Sequence, residues 1–154
     1  MKIGVIGDSH QVYQNIKAAM ENLKDVELII HTGDHYEDLV FIRRTYNIEA
    51  IGVKGNCDYT GEDEIITTIN GRNFFICHGD HYNVKFNLFD LYNKAKELRA
   101  DVAIFGHTHI PFNRIEGNIL FINPGSISYP RGSSSKCCCI LELGRDINVK
   151  HMTI

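Results

Sequence analysis

Three features of the sequence predict an α/β fold with two mixed β-sheets packed face to face as a sandwich and helices outside. In the first half, short apolar runs alternate with segments whose apolar residues recur at helical spacing. Strand–helix–strand repetition of this kind implies parallel strands joined by crossover helices. After Asn56 the pattern changes to paired strands around tight turns, led by the two-residue hairpin signal Asn70-Gly71. The 154 residues are 44% hydrophobic and 23% charged, which is enough apolar material to bury a core in one domain spanning residues 1–154.

In order, Lys2 to Gly7 reads as a strand. A helix follows over about Val12 to Lys24, with Ile16, Ala19, Met20 and Leu23 on one face. Glu27 to His31 is a buried strand built on Leu28-Ile29-Ile30. A helix over about Glu37 to Tyr46 and a strand over Ala50 to Lys54 complete this unit. Glu64 to Ile69 and Arg72 to Cys77 form the hairpin. The third helix, about Phe86 to Arg99, carries Leu88, Phe89, Tyr92, Ala95 and Leu98, and leads into a strand over Asp101 to Phe105. The remaining strands are Phe112 to Ile115, Ile119 to Asn123, Cys138 to Leu143 and Ile147 to Ile154. They turn at Glu116-Gly117-Asn118 and Gly144-Arg145-Asp146. No repeat or linker divides the chain, since Pro130 to Ser135 is too short to separate domains.

A net charge of −3 provides no basic field for a nucleic-acid partner. No apolar run approaches the ~20 residues of a membrane span. The start, Met1 to Gly7, is too short and too quickly broken for a signal peptide, so a cytoplasmic protein is expected. The sequence leaves the oligomeric state open, a homo-oligomer included. Cys77 and the run Cys137-Cys138-Cys139 read as small buried hydrophobes, because neighbouring residues on a strand face opposite ways and cannot converge on one metal. Cys57 stands apart from them.

Five separated positions carry metal-ligand residues: Asp8-x-His10, Gly33-Asp34, Gly55-Asn56, His78-Gly79 and Gly106-His107-Thr108-His109. Each sits at the end of a predicted strand, where ligand sites of open α/β sheets lie. Asp, Asn and His are ligands that transition-metal dications prefer. Asp8 and His10, two apart on an extended segment, would project to the same side. Gly33 lets the backbone approach Asp34, whose two carboxylate oxygens can bridge two cations. Asn56 offers a neutral amide oxygen. Alone, an Asp after a strand is usually a helix cap, and a strand-end His is usually structural. Five such positions in this order, four of them with a preceding glycine, make coincidence improbable. The seven groups suffice for two divalent metal ions sharing one carboxylate, an arrangement suited to phosphate esters. Mixed carboxylate and imidazole ligation favours a transition metal over magnesium, with manganese the expected choice and nickel, cobalt, iron or zinc as alternatives.

The motif order resembles that of the calcineurin-like metallophosphoesterase superfamily, DxH, GD, GN, H and GHxH, over Lys2 to about Arg131. The runs Gly55-Asn56-Cys57-Asp58, Gly106-His107-Thr108-His109 and Asn123-Pro124-Gly125-Ser126 are similar to those of small single-domain bacterial and archaeal phosphodiesterases. The resemblance implies one metal on Asp8, His10, Asp34 and His109, and a second on Asp34, Asn56, His78 and His107. It implies a sandwich of two mixed sheets, in agreement with the pattern of elements. The expected activity is hydrolysis of a small phosphodiester by a metal-bound hydroxide attacking in line with the departing oxygen. Asn56, Asp58 and Cys57 are the candidate catalytic residues. Asn56 stabilises phosphoryl charge, Asp58 orients the Asn56 loop, and Cys57 stands where many relatives have a leaving-group acid His. A thiol beside two cations is expected to favour thiolate and to contribute little as an acid. Gln11 and Asp80 stand where many relatives have Gly and His; they could alter the shape or charge of the substrate entrance but replace no metal ligand.

Other residues carry weaker signals. His31 is expected to sit behind the ligands, His35 and His81 to flank the pocket, and His151 to be structural. Ser9 and Ser126 lack a visible general base and are not expected to be nucleophiles. Arg131 could contact substrate phosphate. A non-enzymatic scaffold of the retromer-subunit type is the alternative. Its metal site is degraded, whereas the ligand set here is complete. A nuclease or a protein phosphatase of the same superfamily is disfavoured by the small, acidic chain and its short loops.

Overall fold

The computed structural model describes residues 1–154. Its strands are β1 (Lys2–Ile6), β2 (Leu28–His31), β3 (Glu49–Gly52), β4 (Glu64–Ile69), β5 (Arg72–Cys77), β6 (Val102–Ile104), β7 (Pro111–Glu116), β8 (Ile119–Pro124), β9 (Cys137–Leu143) and β10 (Ile147–Thr153). The helices are α1 (Tyr13–Asn22), α2 (Asp38–Tyr46) and α3 (Phe89–Glu97), with a short 3-10 turn at Asp80–Tyr82. Two five-stranded mixed sheets result, in the orders β10-β9-β1-β2-β3 and β4-β5-β6-β8-β7. Strands β1, β2 and β3 run parallel, as do β5, β6 and β8, while hairpin partners complete each sheet antiparallel.

Alternation along each strand divides the apolar residues between layers. Ile3, Val5, Leu28 and Ile30 face Phe74, Ile76, Val102 and Ile104 between the sheets. The opposite face of the first sheet, with Ile6, Ile29 and Ala50, is covered by Ile16, Ala19 and Met20 of α1 and Leu39 and Ile42 of α2. Phe75, Ala103 and Phe121 of the second sheet are covered by Leu91 and Ala95 of α3. Each fully buried Leu, Ile or Phe contributes about 1.5–3 kcal/mol relative to exposure. The layers therefore stack as helix, sheet, sheet, helix. No helix is long and apolar enough to cross a membrane.

The cysteine run follows the same alternation, with Cys139 between the sheets and Cys138 on the helix side. Burial pushes the Cys138 thiol up to about 12, so it behaves as a hydrophobe. His151 is structural: its Nε2 donates to the Asn123 carbonyl at 2.8 Å.

The third helix starts later than its apolar spacing suggests, at Phe89 rather than Phe86. Asn87 Oδ1 accepts the Phe89 N–H at 2.9 Å, so a side chain at a turn sets the boundary. Phe86 is left 86% exposed. Strand β6 covers only Val102–Ile104, although the Phe105 N–H still donates to the Ile122 carbonyl at 2.9 Å before the chain bends at His107.

Candidate metal centre

The predicted ligands follow the carboxyl ends of β1, β2, β3, β5 and β6, where the two sheets meet. His78 Nδ1 donates to the Thr32 carbonyl at 2.8 Å, joining one sheet to the other. The Asp8 N–H donates to the Gly33 carbonyl at 3.0 Å and the His10 N–H to the Asp34 carbonyl at 3.1 Å.

Five of the predicted ligands hold left-handed backbone: Asp8 (φ 49°), His10 (48°), Asp34 (57°), His107 (66°) and His109 (60°). Asp8 and His10 thus converge through tight turns, which corrects the expectation of an extended segment. Left-handed conformation at a non-glycine residue costs about 1 kcal/mol or more. Its repetition at the ligands marks loops held in shape by their surroundings. Gly33 and Gly55 let these loops close. A Cβ on Gly33 would stand 2.8 Å from His78 Nδ1, and one on Gly55 2.3 Å from Asp34 Oδ1.

Asp8, His10, Asp34 and His109 bring donor atoms within 4.8 Å of one another. His109 Nδ1 donates to the Tyr129 carbonyl at 2.6 Å. In the neutral ring its Nε2 therefore carries the lone pair, 3.3 Å from Asp8 Oδ1. His10 Nε2 lies 3.5 Å from Asp34 Oδ2. Asp8 is fully buried, and neither of its oxygens has a hydrogen-bond partner of good geometry; His10 Nε2 is equally unpartnered. A buried carboxylate left so is costly unless a cation compensates it. Burial opposes a proton on His109, yet the Asp8 carboxylate outweighs it and raises the imidazole pKa.

A second group centres on His78 Nε2, which lies 3.2 Å from Asn56 Oδ1, 3.1 Å from His107 Nδ1 and 3.5 Å from Asp34 Oδ1. Because His78 Nδ1 is the donor to Thr32, its Nε2 presents a lone pair to these neighbours. Burial first, then His78 and Lys85, depress His107 to about 4, so it is neutral at pH 7 with a lone pair to share. Burial works against the charge of Asp34, but His78, the Cys57 amide and His10 hold its carboxyl below the usual range. Its two oxygens face the two groups separately. Both donor sets suit a borderline dication.

Asp58 braces the centre. It accepts the His35 and Tyr36 N–H groups on Oδ1 at 3.0 and 2.9 Å, and the Gly55 N–H on Oδ2 at 2.7 Å. These bonds tie the Asp34 loop to the Asn56 loop. Asp58→Ala orphans three backbone donors, and a loss of about 2–3 kcal/mol is expected in urea unfolding. A loss near zero would show that water replaces the carboxylate.

The superfamily model described as the calcineurin-like phosphoesterase superfamily domain matches residues 1–146. The chain belongs to that superfamily. As a phosphoesterase of this kind it is a hydrolase. It is 36% identical over 149 residues to the probable metallophosphoesterase YsnB of Bacillus subtilis (strain 168), covering 95% of this chain and 86% of the relative. It is 35% identical over 147 residues to the phosphodiesterase MJ0936 of Methanocaldococcus jannaschii, covering 81% of this chain and 83% of the relative. The crystal structure of a predicted phosphoesterase from Streptococcus pneumoniae TIGR4 superposes with a TM-score of 0.85 at 28% identity, over 99% of this chain and 88% of that one.

In this phosphoesterase, Cys57 is exposed, and its N–H donates to Asp34 Oδ1 at 3.1 Å. Without metal, its surroundings disfavour the thiolate. Desolvation first, then the Asp34 carboxylate, pushes the thiol up to about 11.

The residues behind the ligands were only partly legible. His31 does sit there: it accepts the Gly33 N–H on Nδ1 at 3.1 Å, so its Nε2 donates to Ser9 Oγ at 2.8 Å. Ser9 donates in turn to Asp38 Oδ2 at 2.6 Å, which also accepts the Gln11 N–H at 3.1 Å. Asp38 is fully buried and fixes the Asp8–Gln11 loop, yet in the sequence it is only an acidic residue opening a helix. Ser9 is locked in this network, and Ser126 Oγ donates to the Asp8 carbonyl at 2.9 Å, so both serines brace loops. Asn123 Nδ2 likewise donates to the Gly106 carbonyl at 2.7 Å. His35 Nδ1 lies 3.4 Å from Asp38 Oδ1, and exposed His81 3.7 Å from Asp80.

Proposed function

We propose that the protein is a dinuclear metal-dependent phosphodiesterase acting on a small diester in the cytoplasm. The observation that carries this reading is Asp34, buried between two donor groups with one carboxylate oxygen towards each. Asp8, His10, Asp34 and His109 would hold one ion, and Asp34, Asn56, His78 and His107 the other. Two bound dications, manganese foremost, would supply Lewis-acid polarisation and acidify a water molecule. Exposed Asn56 keeps its Oδ1 towards His78, which leaves its amide N–H group to meet developing charge on a phosphoryl oxygen. Asp58 positions that loop. The orphaned Asp8 oxygens orient the first group for a cation. The phosphodiesterase named among the relatives supports a diester over a monoester. A scaffold role has no use for two intact donor groups, which disfavours it.

The test begins with metal analysis of protein purified without chelator. Diesters and monoesters are then screened with manganese, nickel, cobalt, iron and zinc added back singly. Hydrolysis of diesters dependent on added metal is expected. Activity that survives exhaustive chelation would overturn the proposal. His109→Ala and His78→Ala should each lower bound metal, the first weakening the Asp8 group and the second the Asn56 group. Anomalous scattering that put one of these histidines on both ions, or neither on any, would reject the two-site division.

A further inference from the structure

We propose that a cavity beside the candidate metal centre seats one ester arm of the substrate, and that this arm is a ring system bearing its own anionic group. The proposal rests on the diesterase reading and names the class of diester within it. The cavity has a volume of about 370 Å³, within the range of small-molecule sites. Its walls are Val84, Leu88, Phe105 and Phe112. Val84 and Phe105 are buried, so the floor is fixed and apolar.

Thr108, between His107 and His109, forms the side shared with the metal centre. It is held in place by Asn123 Nδ2, which donates to its Oγ1 at 3.1 Å, and by the Ile110 N–H at 3.2 Å. A phosphoryl group at the metal centre would therefore point one of its arms along Thr108 into the apolar space.

Lys85 and Arg131 line the same cavity from different loops. The Arg131 N–H donates to the His109 carbonyl at 3.2 Å, which ties that loop to the ligand. The lysines and arginines engaged in ion pairs are Lys2, Lys54, Lys94 and Arg114, so both cations at the cavity are unpaired. Apolar walls with two free cations suit a ring carrying an anion.

The Asn56 side of the centre has the opposite character. A cavity of about 510 Å³ there is lined by Asp58, Asp63 and Asp80 and by no hydrophobic residue. Its one lysine, Lys54, is neutralised by Asp63 at 3.1 Å. An anionic ring is repelled from that side and finds complementary charge and apolar contact on the Thr108 side. The asymmetry fixes which way a diester lies across the metals.

Three p-nitrophenyl diesters with a common leaving group test this in the manganese-loaded protein. Their second arms are methyl, thymidine linked through its 5′ oxygen, and the same thymidine carrying a 3′-phosphate. Across this series kcat/KM should rise, by about 10-fold or more from first to last. Phe112→Ala should reduce the thymidine-to-methyl ratio, and the Lys85→Ala/Arg131→Ala double variant should reduce the phosphate-bearing-to-plain thymidine ratio by about 10-fold. Both cations are exposed, so the double variant should keep its fold. A readout without turnover is the binding of thymidine 3′,5′-bisphosphate to the metal-free chain, expected to weaken about 10-fold in the double variant. Equal kcat/KM for the three arms, with methyl ester hydrolysed, would overturn the cavity assignment and leave the diesterase reading standing. No hydrolysis of any arm would overturn the diesterase reading, and unchanged bisphosphate binding in the double variant would independently remove the role of the two cations.

Discussion

Asp34→Asn is expected to lower kcat/KM on diesters by about 10³-fold or more with the fold intact. Replacing a residue that only supports a metal ligand typically costs about 10–100-fold. Asp34 faces both groups, with Oδ1 3.5 Å from His78 Nε2 and Oδ2 3.5 Å from His10 Nε2. Asparagine puts an N–H donor where one of those oxygens stands, and it removes the charge that two dications would share. The substitution is otherwise mild. Asn tolerates the left-handed φ of 57° as well as Asp does, and its remaining oxygen can still accept the Cys57 N–H. Loss of folding is therefore not the expected cause of lost activity. Circular dichroism, metal content per chain and steady-state rates separate the two. Near-wild-type turnover with unchanged metal content would sink the bridging role.

The candidate ligands stood out because each is a chemically distinctive side chain at the end of an apolar run, and strand ends are where an α/β sheet gathers its loops. The two-sheet division was legible for a similar reason, since the change from crossover helices to hairpins after Asn56 appears directly in the pattern of apolar and turn residues. The way the ligands converge was not. Side-chain alternation on an extended segment accounts for neither Asp8 with His10 nor His107 with His109, because all four occupy left-handed turns. That conformation is set by long-range bonds, such as the Asp8 N–H to the Gly33 carbonyl, which spacing does not reveal. Asp38 escaped for a related reason. An acidic residue in the first turn of a helix has an ordinary explanation in the helix dipole, and only its burial against Ser9 and the Gln11 N–H shows what it supports. The Lys85 and Arg131 pairing was half visible. Arg131 stood out in the sequence, whereas Lys85 comes beside it only when the segment after β5 folds over β7.

Cys57 sets the last expectation, which concerns the leaving group. A well-placed general acid contributes about 10²–10⁴-fold, most where the departing oxygen is a poor leaving group. The thiol at this position is exposed, and the Asn56 amide approaches its Sγ only at 3.5 Å. A thiol is a weak hydrogen-bond donor, and here it holds its proton too firmly without metal to be a strong acid. Bound cations would pull the same thiol towards thiolate, which has no proton to give. In either state the departing oxygen receives little help. Rates should therefore fall steeply from nitrophenyl to alkyl leaving groups, by about 10²–10⁴-fold. Cys57→Ala should change nitrophenyl diester hydrolysis little, while Cys57→His should flatten the dependence and extend activity towards alkyl esters. The measurement is log kcat/KM against leaving-group pKa for wild type and both variants, with metal content matched. A shallow wild-type slope that steepens sharply in Cys57→Ala would make Cys57 the proton donor after all.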